Sequence, residues 1–279
     1  MGTQGDPTPP RGTLLRVLTH TQNASALVFG AFMGIHLAAP IAAGVGGTQA
    51  ADNVMLVGRE YYHFLEPIAV YLPLGLHLAS SLVKRVLVVS RSKRFHMTTH
   101  TVLGYVLIPL VIPHLILHRL IPSTEGPPIN QLSPSEMGYE FVGYACATRK
   151  WMTAGYVVLT GVALWHGIVG GIKVLHWARG LLRRSDTADS GERGSEDKSA
   201  DSSKTNEKSE EKKKKNKRRL RVSQAERLQA IRTLVTTTTT AVCVGLVRLT
   251  ADAQGLSSFV ASRYDAVFAA APWAAVGFR

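Results

Sequence analysis

Four histidines, His36, His77, His114 and His166, each stand well inside a stretch of apolar residues. Imidazole is a metal ligand, a proton carrier and a hydrogen-bond donor, and an ionisable group in lipid is costly unless it has a partner. The flanking sequences are G-I-H-L-A-A-P at His36, G-L-H-L-A-S at His77 and L-W-H-G-I-V-G-G at His166. Glycine beside a histidine lets another helix or a flat group approach the backbone closely. A single such histidine is most simply explained by a bond to a carbonyl that a nearby proline has freed, and Pro73 and Pro113 stand ready. One in each of four successive apolar stretches points instead to a shared polar site.

Depth along the helices sorts the four. His77 precedes Lys84 by seven residues and His166 precedes Lys173 by seven, which places both about 10 Å from one membrane face, here side A. His36 lies twelve residues past Ala24 and His114 twelve past Val102, about 18 Å from the same face. The expected pairs are therefore His77 with His166 and His36 with His114. Matched pairs of this kind are what bis-histidine ligation of haem b requires. A gap of about 8 Å between the levels leaves open whether one haem or two would fit. His118, beside Arg119, and His20, His63, His96, His100 and His176 are assigned to the interface. No flavin or nicotinamide loop and no iron–sulfur cysteine set is present. Cys146 and Cys243 stand far apart as free thiols. The expectation is a protein that is not an enzyme, with no metal beyond haem iron.

The elements that must carry these residues are apolar runs long enough to span a bilayer. They cover about 24–44, about 63 or 68 to 83, 101–121 and 151–175, with a weaker fifth at 228–249. The fifth holds Thr236 to Thr240, and Arg232 and Arg248 bound only fifteen residues, about 22 Å of helix. The predicted fold is all-α: a polytopic membrane helical bundle of four histidine-bearing spans plus a fifth weaker one. Gly30 and Gly34 form a small-x-x-x-small step. A loop of about twenty residues is expected after Gly44, and a Pro-rich loop after Ile121 ends in an amphipathic piece with Tyr139, Phe141 and Tyr144. Trp151 and Trp177 suit interfacial anchoring. Residues 185–227 are too charged to bury a core and are read as disordered. The tail after Leu249 is too short and too broken by Pro272 for a sixth span, and is expected in the interface. The domains are then 1–23, 24–184, 185–227 and 228–279.

Net charge is +13 and concentrated, with eight basic residues of ten from Lys212 to Arg221. Beside membrane spans such a run fits anionic lipid headgroups better than nucleic acid, which is not expected as a partner. Side A also receives Arg11, Arg16 and the five basic residues of 84–94, so the positive-inside rule puts it in the cytosol, with the N-terminus. The first 23 residues lack the apolar core of a secretory signal, so insertion through the spans themselves is expected. Pro7-Thr8-Pro9-Pro10 is a short rigid segment of the kind that docks in a groove as polyproline II. A scramblase would need a polar groove through the bundle, and the sequence does not show one.

The segments Gly34 to Pro40, R-E-Y-Y with Glu66-Pro67, and Gly75 to Ser80 resemble a known family over roughly residues 20–180, and more faintly through the fifth span. It is the family of fungal mitochondrial outer-membrane adaptors first found as suppressors of a defective ER–mitochondria tether. Their membrane domain is distantly similar to the cytochrome b anchor subunits of succinate dehydrogenase and fumarate reductase. The resemblance implies a mitochondrial outer-membrane protein that supports lipid homeostasis. It also implies recruitment of a bridge-like lipid-transfer protein at organelle contact sites through a cytosolic Pro-x-Pro motif, which Pro7 and Pro9 match here. The family's haem ligands fall on His36, His77, His114 and His166.

Overall fold

A chain in lipid must satisfy every backbone N–H and C=O internally, and this one does so with helices. A computed structural model describes residues 10–62, 65–92, 97–132, 136–189 and 206–276. Its main helices are α1 (Pro10–Tyr62), α2 (Leu72–Ser92), α3 (Thr99–Leu115), α4 (Tyr139–Thr148), α5 (Lys150–Asp189), α6 (Asn206–Asp252) and α7 (Ser258–Ala269). Five segments, Gly12–Gly58, Pro67–Ser90, Thr99–Leu120, Lys150–Arg183 and Gln224–Gly255, are long and apolar enough to cross a bilayer. The polytopic helical bundle expected from the sequence is the fold observed. Side chains such as Val45, Val86 and Val247 point outward, the arrangement of a surface that meets lipid rather than water.

Successive spans alternate in direction. Gln22, near the start of α1, meets Ser81 midway along α2; Glu66, before α2, pairs with Arg119, past the end of α3; and the start of α3 meets the middle of α5 through His100 and His166. The late parts of α1 and α6 run together: a Cβ on Gly245 would collide with the Pro40 carbonyl, and Ala43 and Gly44 pack beside it. This is the close backbone approach that small residues permit. The structure locates it there and not at Gly30 and Gly34, where an added Cβ would meet nothing within 4 Å.

Three expectations are corrected. The stretch after Gly44 is not a loop; α1 resumes after a break at Gly46 and Gly47, where Gly47 has φ +64°. The Asp252 carboxylate accepts from the Thr48 N–H at 2.9 Å and from its hydroxyl at 3.2 Å, which caps the restarted helix from α6. Residues 185–227 are also partly helical: α5 continues to Asp189 and α6 begins at Asn206, while 190–205 lie outside the described residues. Lysine, glutamate and arginine have high helix propensity, which is enough to extend a helix already anchored in a span. The fifth span is likewise longer than the fifteen residues between its arginines. Arg248 ends in an ion pair with Asp252 at 3.3 Å, and the Thr236 and Thr237 hydroxyls bond back to the Arg232 and Thr233 carbonyls.

The packed core sits at side B. The amphipathic piece expected at Tyr139–Tyr144 is α4, and the tail forms α7, a twelve-residue helix too short to span. Phe141 stacks on Phe268 at 5.1 Å and meets Tyr264 edge-on at 5.1 Å. Leu117, Ile129, Leu132, Met152 and Val267 belong to the same cluster. Ion pairs Arg149–Asp265 (3.0 Å) and Arg263–Glu136 fasten α7, and Arg119–Glu66 (2.6 Å) closes the same end. Asp52 likewise accepts from the Tyr139 N–H at 2.7 Å.

Candidate functional site: a two-level histidine column

The level nearer side A is built by α1, α2, α3 and α5. His77 and His166 face each other with ring centroids 6.2 Å apart and planes at 89°. The His77 Nδ1 lies 3.2 Å from the Gln22 carbonyl and the His166 Nδ1 lies 3.0 Å from the His100 carbonyl. A carbonyl only accepts, so each Nδ1 carries the proton and each Nε2 keeps its lone pair. This is the tautomer that a metal-ligating histidine needs, and a backbone carbonyl is one of its usual outer partners. The His100 ring stacks on His166 at 4.2 Å with an interplanar angle of 8°. Gly104 makes this possible, since a Cβ there would come within 2.9 Å of the His166 ring. Gly170 does the same for His100 at 3.1 Å.

The deeper level is built by α1, α3 and α5. His36 and His114 have centroids 5.9 Å apart and planes at 83°. The pairing expected from depth is therefore the pairing observed, at both levels. Around this second pair the surroundings differ. Phe32 stacks on His36 at 5.4 Å, and His118 lies 4.5 Å from His114. The His118 Nε2 meets the Tyr156 hydroxyl at 2.9 Å. The His114 Nδ1 is buried with no hydrogen-bond partner among the described residues. No carbonyl fixes its tautomer, so this pair lacks the support that His77 and His166 have.

Two histidines assigned to the interface belong instead to the column. His118 packs edge-on against Phe141 at 5.3 Å, and His100 joins the upper level. The i, i+4 spacing of His114 and His118 was a usable signal, because it puts both on one helix face. The same step separates His100 from Gly104. Tyr156 and Gln22 carried no signal beyond their positions in apolar runs. His20, by contrast, accepts from the Trp177 indole N–H at 3.0 Å and His176 is exposed, so neither joins the column. His63, His96, Pro7 and Pro9 lie outside the described residues.

Bonds of about 2 Å from a central metal to two opposed imidazoles put the ring centroids about 6 Å apart. The His77–His166 centroid spacing and both fixed tautomers fit two ligands of haem iron. Among the described residues no group of three or more His, Cys, Asp or Glu side chains converges as a bare metal ion would require. A surface groove of about 470 Å³ is lined by Ala225, Leu228, Gln229 and Arg232. All four belong to α6, so it lies along one helix and converges no chemistry.

The family model described as MDM10-complementing protein 1, transmembrane domain, matches residues 109–253, just over half of the chain. No curated protein and no solved structure matches it. The matched region runs from within α3 to the end of α6. It begins later than the resemblance drawn from the first two spans and takes in the whole apolar part of α6. His114, His118, Tyr156 and His166 lie inside it; His36 and His77 lie before it. The chain belongs to the MDM10-complementing protein 1 transmembrane-domain family.

Proposed function

We propose that the chain is a multi-pass anchor in the mitochondrial outer membrane whose bundle binds one b-type haem between His77 and His166. The observation that carries the haem assignment is the facing pair of imidazoles with both Nδ1 atoms committed to carbonyls. His77 and His166 would hold the iron; Gln22 and the His100 backbone would orient the ligand rings; Gly104 leaves room for His166. Haem supplies one-electron exchange when bound. His36 and His114 are the lesser candidates, because His114 lacks an orienting bond. Absorption of the detergent-purified full chain tests this. A Soret band and a reduced α-band are expected, lost on His77→Ala or His166→Ala and kept on His176→Ala. A colourless, folded preparation from haem-replete cells would overturn it.

A second function is favoured by the family match and by Pro7-Thr8-Pro9 next to the start of α1. With the N-terminus in the cytosol, this segment recruits a bridge-like lipid-transfer protein at organelle contact sites and so supports lipid homeostasis. The lysine-rich start of α6 would rest against anionic headgroups on the same side. The protein acts as an adaptor, not an enzyme, and haem and recruitment are compatible in one molecule. Replacing Pro7 and Pro9 with alanine should abolish recruitment of the partner while membrane insertion stays intact. Recruitment that persists in the double variant would refute the adaptor role.

A further inference from the structure

Two lysines stand in the same relation to the two upper histidines. Lys84 follows His77, and Lys173 follows His166, by seven residues. Seven residues are almost two turns, so each lysine shares its histidine's helix face about 10 Å nearer side A. Lys84 on α2 is half-buried and Lys173 on α5 is exposed, and the two histidines below them, His77 and His166, have ring centroids only 6.2 Å apart.

Nothing on the surrounding helices neutralises this pair. α1 before its glycine break, all of α2 and α3, and α5 before Asp186 contain no Asp or Glu. Neither lysine has a carboxylate within ion-pair distance among the described residues; Lys84 reaches only the Gln22 amide oxygen, at 3.4 Å. The Gln22 carbonyl in turn holds His77, and the Gln22 amide donates to Ser81 at 2.7 Å. The His100 Nδ1 is also buried with no partner among the described residues. Two ammonium groups at the side A end of the histidine pair, beside one buried, unpartnered imidazole nitrogen and with no carboxylate on these helices, form a site suited to an anion.

We infer that Lys84 and Lys173, aided by His100, bind the two propionate carboxylates of the haem held by His77 and His166. The inference rests on the haem assignment above. It fixes the orientation of the group, with its propionates toward side A. It also accounts for a lysine following each ligand histidine by seven residues. An anionic lipid headgroup is the competing occupant.

The test uses the full chain in detergent, comparing haem with haem dimethyl ester, whose carboxylates are blocked. Wild type should retain free-acid haem over the ester by about tenfold per charge-assisted contact. Lys84→Gln with Lys173→Gln should erase that preference, and both lysines changed to arginine should restore it. The midpoint potential of the bound haem should fall in the glutamine variant, because removing positive charge disfavours the reduced state. No Soret band in wild type would overturn the haem assignment and this inference together. A band that depends on His77, with no preference for the free acid in wild type, would overturn this inference alone. So would a phospholipid that co-purifies with wild type and is lost from the glutamine variant while haem binding is unchanged.

Discussion

At the residue scale the chemistry turns on which imidazole nitrogen keeps its lone pair. A hydrogen bond to a carbonyl settles that for His77 and His166 and leaves it unsettled for His114. The glycines act just as locally. An alanine at position 104 would place its Cβ 2.9 Å from the His166 ring, whereas one at Gly161 would meet nothing within 4 Å. Gly104→Ala should therefore push His166 out of register, at a cost of about 1–3 kcal/mol, and reduce the haem retained. Gly161→Ala should change neither stability nor haem content appreciably. Haem-to-protein ratios of the two purified variants make the comparison, and equal retention would show that Gly104 does not position the ligand.

At the element scale the bundle depends on contacts that leave little room. α1 and α6 touch backbone to backbone where Gly245 faces the Pro40 carbonyl, and α4 meets α6 where Gly143 faces the Leu249 carbonyl. Gly245→Ala should separate α1 from α6 and destabilise the protein by about 1–3 kcal/mol or more, read as an earlier midpoint in denaturant-induced unfolding. The α7 cap offers a pH test outside the spans. Burial, followed by the carboxylates Glu140, Asp52 and Glu136, pushes the Tyr264 phenol up to about 12. Its hydroxyl donates to the Glu136 carbonyl at 2.9 Å. The folded state thus holds this proton more tightly than the unfolded chain. That stabilisation is complete below the ordinary tyrosine value of about 10 and is lost as pH rises through about 12. Melting temperatures of wild type should fall across this window more steeply than those of Tyr264→Phe. The variant itself should lose about 1 kcal/mol at neutral pH.

At the scale of the whole molecule, two ends do different work. Side B is packed and cross-linked by ion pairs between α4, α7 and the loops, so it behaves as the structural floor of the bundle. Toward side A the described buried clusters thin out, and the imidazole pair with its two lysines sits beneath the face that carries the N-terminal segment. The sequence by itself determined the number of spans, their alternation and the matched depths of the histidine pairs. Apolar length and rise per residue are one-dimensional quantities that a chain cannot evade in lipid. It also placed the lysines seven residues from their histidines. Only the tertiary structure decided how each helix is rotated about its axis, because that angle follows from packing between neighbours. That rotation brought His100 and His118 in from the interface, and let the Asp252 carboxylate restart α1 after Gly47. It moved the small-residue contact from Gly30 and Gly34 to Gly245, and gave His166 but not His114 a carbonyl to hold its tautomer.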